Sequence, residues 1–396
     1  MPQNPFTARF PARRCAPLSA VLSVGFVLLA GCATTGSTPV VPDAEPVISA
    51  PTVKLVDPTG AYPKVPLEKD TVVVKVIQNG VQNLQDAESV EAGLEHNLQR
   101  MVGFAEQACA EGKKPDFLLF NEFPLTGYSS GARAEKLKFT IQIPGAETAA
   151  LGEVAKACDT YIIFGSYAND PAWPGHILSI NAVIGRDGEV KERYWKTRNV
   201  KRLGSDGEIP TTTIESVRDE YRARYGVEAE FPVLRTEYGN IAVSTVQLDP
   251  FVFAAYAMRG VEIMFRTSTL FSKEDVRATA FFNRFYSAMS NITFPPDGPY
   301  AKYGGGSLIV GPDGKVLAED ETNNESIIEA EIPIAEFREG RRIPRYPLEV
   351  VAPVFEQYQQ EVPLNHMDMP AESLPKTRAD MKTLLDTQSR WLNPDR

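Results

Sequence analysis

The stretch Asp116–Tyr128 reads DFLLFNEFPLTGY and sets the fold of the chain. Its first part, Phe117–Phe120, is an unbroken apolar run, and the Pro-Leu-Thr-Gly that follows is typical of a turn. A short apolar run closed by turn formers indicates a strand that is buried on both faces. Glu122 follows this strand directly, and open α/β folds bind ligands beyond the carboxyl ends of their strands. The sequence therefore predicts a carboxylate at the rim of a site, suited to a general base; the alternative is an exposed glutamate in a turn.

This stretch resembles the glutamate motif of the nitrilase superfamily, the carbon–nitrogen hydrolases. Thr126-Gly127-Tyr128 matches the usual Thr-Gly-Tyr of the motif, whereas Asn121 stands where the family most often has Pro. The resemblance implies an α/β fold, a nitrilase-like α-β-β-α four-layer sandwich in a single domain. It also implies a catalytic Glu-Lys-Cys triad in which Glu122 is the general base.

A hairpin farther along the chain supplies a candidate lysine. Leu178–Ile184 and Val190–Trp195 have the composition of strands, and the Gly-Arg-Asp-Gly between them is a hairpin signal. The following Tyr194-Trp195-Lys196-Thr197 resembles the lysine motif of the same superfamily. The resemblance implies that Lys196 stabilises the oxyanion of a tetrahedral intermediate. The alternative is a surface lysine in a basic hairpin end.

A second glutamate follows the lysine in the family and helps to position it. Glu208 lies at a suitable distance, within a long irregular segment that runs from Lys201 to Val233. We expect Glu208 to fill this role, and Glu215 is the competing candidate.

The cysteine nucleophile of the family is not found where the resemblance places it. The chain has the strand Gly239–Val243 and a helix after it, but the segment between them contains no Cys. Three ways of aligning this segment put Val246, Gln247 or Ser244 at the nucleophile position. Since Val and Gln cannot act as nucleophiles, Ser244 is the predicted substitute, with Thr245 beside it. A hydroxyl is much harder to deprotonate than a thiol, so a strengthened base would be needed.

The N-terminus predicts export and a lipid anchor. Three arginines precede the apolar segment Ala16–Ala30, which is too short for a normal membrane-spanning helix. It ends in Leu29-Ala30-Gly31-Cys32, which resembles the lipobox of bacterial lipoproteins. The resemblance implies that Cys32 is lipidated and that the protein is anchored in the cell envelope, with Ala33 favouring the outer membrane and a periplasmic orientation. The alternative is an ordinary signal peptide in which Cys32 is incidental.

The composition excludes several other classes of function. The net charge of −10 over 396 residues argues against binding to nucleic acid, which requires a basic face. The three histidines are scattered without metal-ligand spacing, so no metal and no cofactor are expected. Cys109 and Cys158 both fall in helical patterns, and we expect them to be buried free thiols. The alternative is a disulfide between them in an oxidising compartment, which their spacing does not establish.

These observations predict four regions and one principal function. Residues 1–31 are the expected signal peptide, residues 32–69 the lipidated Cys32 and a flexible tether, and residues 70–345 the hydrolase-like domain. Residues 346–396 are the expected C-terminal extension; in the family such tails often contact a neighbouring subunit, so a homo-oligomer is expected, and the alternative is a disordered extension. The predicted function is hydrolysis of a small amide, nitrile or carbamoyl compound. The alternative is a catalytically inactive protein that binds a small molecule or a partner in the periplasm.

Overall fold

The structure is a computed structural model that describes residues 55–129, 131–199, 211–269, 271–298, 300–341, 343, 345–361 and 374–384. Residues 1–54, and with them the predicted signal peptide, Cys32 and most of the tether, lie outside the described residues. Within the described part of the chain, no helix combines the length and the apolar composition needed to cross a membrane.

The strands form two mixed sheets. In chain order they are β1 (Val72–Gln78), β2 (Phe117–Leu119), β3 (Ile141–Gln142), β4 (Tyr161–Asn169), β5 (Leu178–Ile184), β6 (Val190–Trp195), β7 (Leu234–Thr236), β8 (Gly239–Ser244), β9 (Ile263–Ser268), β10 (Tyr286–Asn291), β11 (Ser307–Val310), β12 (Val316–Asp320) and β13 (Ser326–Ile332). The first sheet has the order β13-β1-β2-β4-β5-β6, with β3 paired to β4. The second sheet has the order β12-β11-β10-β9-β8-β7.

Helices connect and flank the strands. In chain order, those of the described residues are α1 (Val90–Ala110), α2 (Arg133–Lys136), α3 (Ala146–Cys158), α4 (Arg218–Tyr225), α5 (Pro250–Met258), α6 (Lys273–Asn283), α7 (Ile334–Gly340) and α8 (Leu348–Glu361). Residues of α1 and α3 share one apolar cluster with the outer face of the first sheet. Residues of α5 and α6 share another with the second sheet, and this cluster also fills the space between the sheets. The predicted α-β-β-α arrangement is confirmed.

Strand β2 lies at the centre of the first sheet, as its apolar run predicts. It pairs in parallel with β1 on one side and β4 on the other. Phe117 and Leu119 point into the core between the sheets, whereas Leu118 and Phe120 point into the core under α1 and α3. All four side chains are fully buried. Because both faces of the strand are covered, alternation of apolar and polar residues is absent from its sequence.

The prediction of free thiols at Cys109 and Cys158 is wrong. The two residues form a disulfide, with their Cα atoms 6.0 Å apart. Cys109 lies in the last turn of α1 and Cys158 ends α3, and the two helices pack against each other on the first sheet. The spacing of the two residues along the chain does not reveal this, because the pairing depends on how the helices pack.

The C-terminal extension contains structure that its composition did not indicate. Helix α8 forms although Pro353 lies inside it. Residues 374–384 pack against the domain of the same chain. Leu374 and Met381 are buried, and Met381 joins an apolar cluster with Phe123 and Tyr167. Contact of this extension with a neighbouring subunit stays a prediction.

Candidate active site

The candidate site lies at one edge of the sandwich, where strands of both sheets end. Glu122 follows β2 and Lys196 follows β6 in the first sheet, while Thr245 follows β8 in the second. The backbone N–H of Glu122 donates to the carbonyl of Ser268, at the end of β9, across 3.4 Å. This edge therefore brings Glu122 together with side chains that are 74 and 123 positions away in sequence, as the carboxyl ends of parallel strands do in α/β folds.

One carboxylate oxygen joins the three candidate residues. Glu122 Oε1 accepts a hydrogen bond from Lys196 Nζ at 3.2 Å and another from Thr245 Oγ1 at 2.8 Å. Glu122 is 4% exposed, and the Lys196 side chain is 17% exposed. A buried carboxylate that accepts from a hydroxyl is oriented to take its proton, and an adjacent ammonium is suited to stabilise negative charge on a reacting oxygen. The arrangement provides a base, a hydroxyl and a cation in direct contact.

The backbone at Glu122 is fixed by its neighbours. Asn121 Oδ1 accepts from the Phe123 N–H at 3.0 Å, and Asn121 Nδ2 donates to Asn79 Oδ1 at 3.0 Å, just beyond the end of β1. These two bonds give the asparagine a local role at the position where the family usually has Pro. On the other side, a Cβ atom on Gly165 of β4 would lie 2.4 Å from the carbonyl oxygen of Glu122. Only glycine allows this close approach of the two chains.

Lys196 is held by the continuation of β6 and is not a surface lysine. Its N–H donates to the Ser179 carbonyl at 3.0 Å, which extends the pairing with β5 by one residue. Its carbonyl accepts from the Ile214 N–H at 3.1 Å. The side chain therefore leaves a backbone that is fixed on both sides and points to Glu122.

The loop after β8 places Thr245, and not the residues chosen by alignment, next to Glu122. Ser244 Oγ accepts from the Val246 N–H at 3.1 Å, and Val246 is fully buried. Gln247 is 6% exposed. The structure thus brings Thr245 to Glu122 and leaves Ser244 in a local turn contact. Thr245 was considered in the sequence beside Ser244, but none of the three alignments selected it.

The same loop contains a strained residue. Leu248 has a φ of +56°, and its side chain is exposed. A left-handed conformation costs a non-glycine residue about 1–2 kcal/mol. Such strain persists only where surrounding contacts determine the backbone, and it is frequent near functional sites.

Glu208, the predicted second glutamate, lies outside the described residues. Its competitor Glu215 lies beside the lysine segment, where its N–H donates to the Thr197 carbonyl at 2.9 Å. Three other charged residues near the site were not identified in the sequence: Arg198, Arg266 and Asp275. The signal for Arg266 was a lone arginine in the apolar strand β9, since a charge in a buried strand requires a buried partner.

Metal binding has no support in the part of the chain that the structure describes. No group of three or more His, Cys, Asp and Glu side chains among those residues has an arrangement that could hold a metal ion.

Comparison with known proteins matches most of the chain to one family. The family model described as carbon-nitrogen hydrolase matches residues 80–342. The curated relatives include Omega-amidase NIT2 of Homo sapiens, which is 28% identical over 257 residues that cover 62% of this chain and 86% of the relative. Omega-amidase NIT2 of Xenopus tropicalis is 27% identical over 214 residues, covering 51% and 73% of the two chains.

Solved structures share the fold. A double mutant of the amidase from Nesterenkonia sp. AN1 in complex with acrylamide matches with a TM-score of 0.52 and 18% identity, over 75% of this chain and all of that chain. An amidase from Nesterenkonia sp. matches with a TM-score of 0.51 and 18% identity, over 74% and 98% of the two chains. At this level of identity, the similarity shows the fold alone.

Proposed function

The chain belongs to the carbon–nitrogen hydrolase family, and we propose that it hydrolyses the C–N bond of a small amide, nitrile or carbamoyl compound, with Thr245 as the nucleophile. The observation that carries the proposal is the contact of Glu122 Oε1 with both Thr245 Oγ1 and Lys196 Nζ, at 2.8 and 3.2 Å. The family membership and the omega-amidases among the curated relatives support this class of substrate.

For an amide, the reaction follows from the positions of these three groups. Glu122 takes the proton of the Thr245 hydroxyl while Oγ1 attacks the carbonyl carbon, and the ammonium of Lys196 stabilises the resulting oxyanion. The C–N bond then breaks as Glu122 gives the proton to the leaving nitrogen, and an ester to Thr245 remains. A water molecule, deprotonated by Glu122, attacks this ester, and the carboxylic acid leaves as the Thr245 hydroxyl recovers a proton. The protein ends each cycle unchanged.

The hydroxyl sets the expected rate. A thiol with a pKa near 8.5 is easily activated by a carboxylate, whereas an alcohol needs a stronger base or a closer contact. The direct hydrogen bond between Thr245 and Glu122 favours proton transfer, but we expect turnover to be slower than with a thiol at the same place.

The test is ammonia release by the full-length protein over a panel of small amides, nitriles and carbamoyl amino acids. Glu122→Ala and Thr245→Ala should both abolish turnover. Ser244→Ala is the matched control, since it removes a neighbouring hydroxyl that is engaged with the Val246 N–H, and it should retain turnover. Loss of activity in Ser244→Ala but not in Thr245→Ala would assign the nucleophile to Ser244 and overturn the proposal.

A second candidate is a catalytically inactive member of the family that binds a small molecule or a partner. Its support is that the loop after β8 has no cysteine to act as the nucleophile. Of the four cysteines in the sequence, Cys109 and Cys158 are joined to each other on the far side of the first sheet. Turnover that is absent throughout the panel, together with a compound of the panel that raises the melting temperature, would favour this candidate.

We also propose that the protein is a lipoprotein of the bacterial cell envelope, anchored through Cys32 and facing the periplasm. Two features support this location: the lipobox-like sequence Leu29-Ala30-Gly31-Cys32 and the Cys109–Cys158 disulfide. Disulfides persist in oxidising compartments such as the periplasm and are rare in the bacterial cytosol. Expression in a bacterium should give a membrane-bound protein with an acylated N-terminus, and Cys32→Ala should release it into the soluble fraction. A Cys32→Ala protein that stays in the membrane fraction would contradict the anchor.

A further inference from the structure

The loop from Val246 to Asp249 connects Thr245 to α5, and a buried ion pair holds it from the side of the second sheet. Arg266 lies on β9, opposite Ser244 in the neighbouring strand, and is 0% exposed. Its Nη2 donates to the Val246 carbonyl at 2.8 Å and to Asp275 Oδ2 at 2.5 Å. Asp275 Oδ1 in turn accepts from the Leu248 N–H at 3.3 Å. The pair thus binds one carbonyl and one N–H of the loop.

The surroundings of Arg266 fix the plane of its guanidinium. The group lies 4.0 Å from the ring centre of Phe253 and 5.0 Å from that of Phe271, and its Nη1 donates to Thr279 Oγ1 at 3.2 Å. Burial lowers the pKa of Arg266, and the neighbouring Asp275 raises it. Apolar residues of similar volume often replace buried ion pairs without loss of stability. Packing of the core therefore does not require the Arg266–Asp275 pair. The hydrogen bonds to the loop backbone do require it, since they need a charged donor and acceptor at these positions.

A second arginine holds the loop from the side of the first sheet. Arg198, two residues after Lys196, donates from Nη2 to the carbonyls of Gln247 at 3.4 Å and Leu248 at 3.1 Å. Its Nε donates to Asp249, which caps the N-terminus of α5. Three consecutive carbonyls of the loop are thus bound by guanidinium groups, one on each side of the site. These contacts account for the left-handed conformation of Leu248.

We propose that Arg198, Arg266 and Asp275 are positioning residues that clamp the loop and hold the side chain at position 245 against Glu122. This inference rests on the proposed function in treating Thr245 as the reacting group. A displacement of about 1 Å at a reacting atom costs roughly 100-fold in rate. We therefore expect Asp275→Asn to lower kcat by about that factor while KM changes little.

The test measures whether the side chain at position 245 contacts Glu122, without relying on turnover. Thr245→Cys is made in the full-length protein, and alkylation of its thiol by iodoacetamide is followed against pH on the peptide that contains it. A carboxylate beside a thiol disfavours the thiolate, so adding Glu122→Gln should lower the midpoint of this profile by about one pH unit or more. That shift reports contact between position 245 and Glu122. It is then measured again with Asp275→Asn and, separately, with Arg198→Gln.

If Arg198, Arg266 and Asp275 form this clamp, the shift in the alkylation midpoint should disappear in both Asp275→Asn and Arg198→Gln. Glu262→Gln is the matched control, because it removes one charge from a buried pair with Arg338 at the opposite end of β9, 2.8 Å between Oε2 and Nη2. It should leave the shift intact. Arg198 is partly exposed, so Arg198→Gln remains decisive if Asp275→Asn does not fold.

Two results would overturn the clamp: a shift that persists in Asp275→Asn and Arg198→Gln, or the absence of any shift when only Thr245→Cys and Glu122→Gln are combined. A protein that shows these expected changes in the alkylation midpoint but no turnover would instead disprove the proposed hydrolysis. It would still support the positioning role of Arg198, Arg266 and Asp275.

Discussion

Thr245 Oγ1 lies 2.8 Å from Glu122 Oε1, so a residue just beyond the end of β8 in the second sheet hydrogen-bonds the carboxylate that follows β2 in the first. This contact joins the two sheets at the edge where the candidate site lies. Lys196 reaches the same oxygen from β6, at 3.2 Å. The site therefore depends on the relative position of the two sheets as well as on its own residues.

A thiol at position 245 should speed the reaction, whereas a thiol at position 246 should not. Thr245→Cys places a thiol, which is more acidic and more nucleophilic than a hydroxyl, at the group in contact with Glu122. Val246→Cys is the control, because it places a thiol at the neighbouring, fully buried residue and replaces a side chain of similar volume. Initial rates of ammonia release check both variants. Faster turnover in Val246→Cys alone would favour the alignment that puts the nucleophile at position 246.

Lys196 should be required for turnover but not for folding. We expect Lys196→Met to lower kcat by about 100- to 1,000-fold, since a donor to the oxyanion is lost. Lys191→Met is the control, because Lys191 lies on the same hairpin strand and pairs with Asp187 at the surface. Steady-state kinetics and thermal melts of both proteins provide the measurement. Equal activity of Lys196→Met and the unmodified protein would remove the lysine from the mechanism.

Gly165→Ala should damage the site through the backbone of Glu122. The added Cβ would lie 2.4 Å from the Glu122 carbonyl oxygen, so one of the two chains must move. We expect a loss of about 1–3 kcal/mol in the free energy of unfolding, together with a drop in kcat. Gly103→Ala on α1 has open space around its Cβ and should raise stability by about 0.5–1 kcal/mol. Urea unfolding of the two variants compares them, and unchanged stability in Gly165→Ala would contradict the close approach.

His176 should make stability depend on pH. Burial, and then the nearby charge of Arg133, lower the pKa of His176 below its usual value of 6.5. The unfolded chain therefore binds a proton at a higher pH than the folded chain, and stability rises with pH in that window. The contribution is complete above pH 6.5 and is lost as the pH falls toward the folded-state pKa.

Replacing the histidine should flatten this dependence. Urea unfolding at several pH values between 5 and 8 should show a smaller slope for His176→Gln than for the unmodified protein. His96→Gln is the control, since His96 lies exposed on α1. An unchanged slope in His176→Gln would show that the imidazole does not govern stability in this range.

The Cys109–Cys158 disulfide should stabilise the fold. The crosslink closes a loop with a sequence separation of 49, for which the chain-entropy estimate is about 4 kcal/mol. Peptide mapping without reductant should recover the linked pair, and reduction should lower the melting temperature. A protein in which both cysteines are replaced by Ala should show the same decrease and no further response to reductant. Two free thiols in protein isolated without reductant from an oxidising compartment would contradict the pairing.

The central strand, the turn after Glu122 and the hairpin before Lys196 could be predicted from sequence patterns, and the resemblance to the superfamily motifs singled out Glu122 and Lys196 within them. These features are local: an apolar run of strand length at Phe117–Phe120, a turn directly beyond Glu122, and an Asp-Gly hairpin that sets where Lys196 emerges. Local patterns of this kind follow from backbone geometry and burial, so they survive without knowledge of the rest of the fold.

Which residue contacts Glu122, and whether the two cysteines pair, follows from tertiary contacts. Counting along the loop after β8 gave Val246, Gln247 or Ser244, because counting assumes a regular backbone. The loop instead contains Leu248 at positive φ, its backbone is bound by Arg266 of β9 and Asp275 of α6, and Thr245 is the residue in contact with the carboxylate. The disulfide likewise depends on the packing of α1 against α3. Contacts between elements distant in sequence determine both outcomes, and no pattern within either element specifies them.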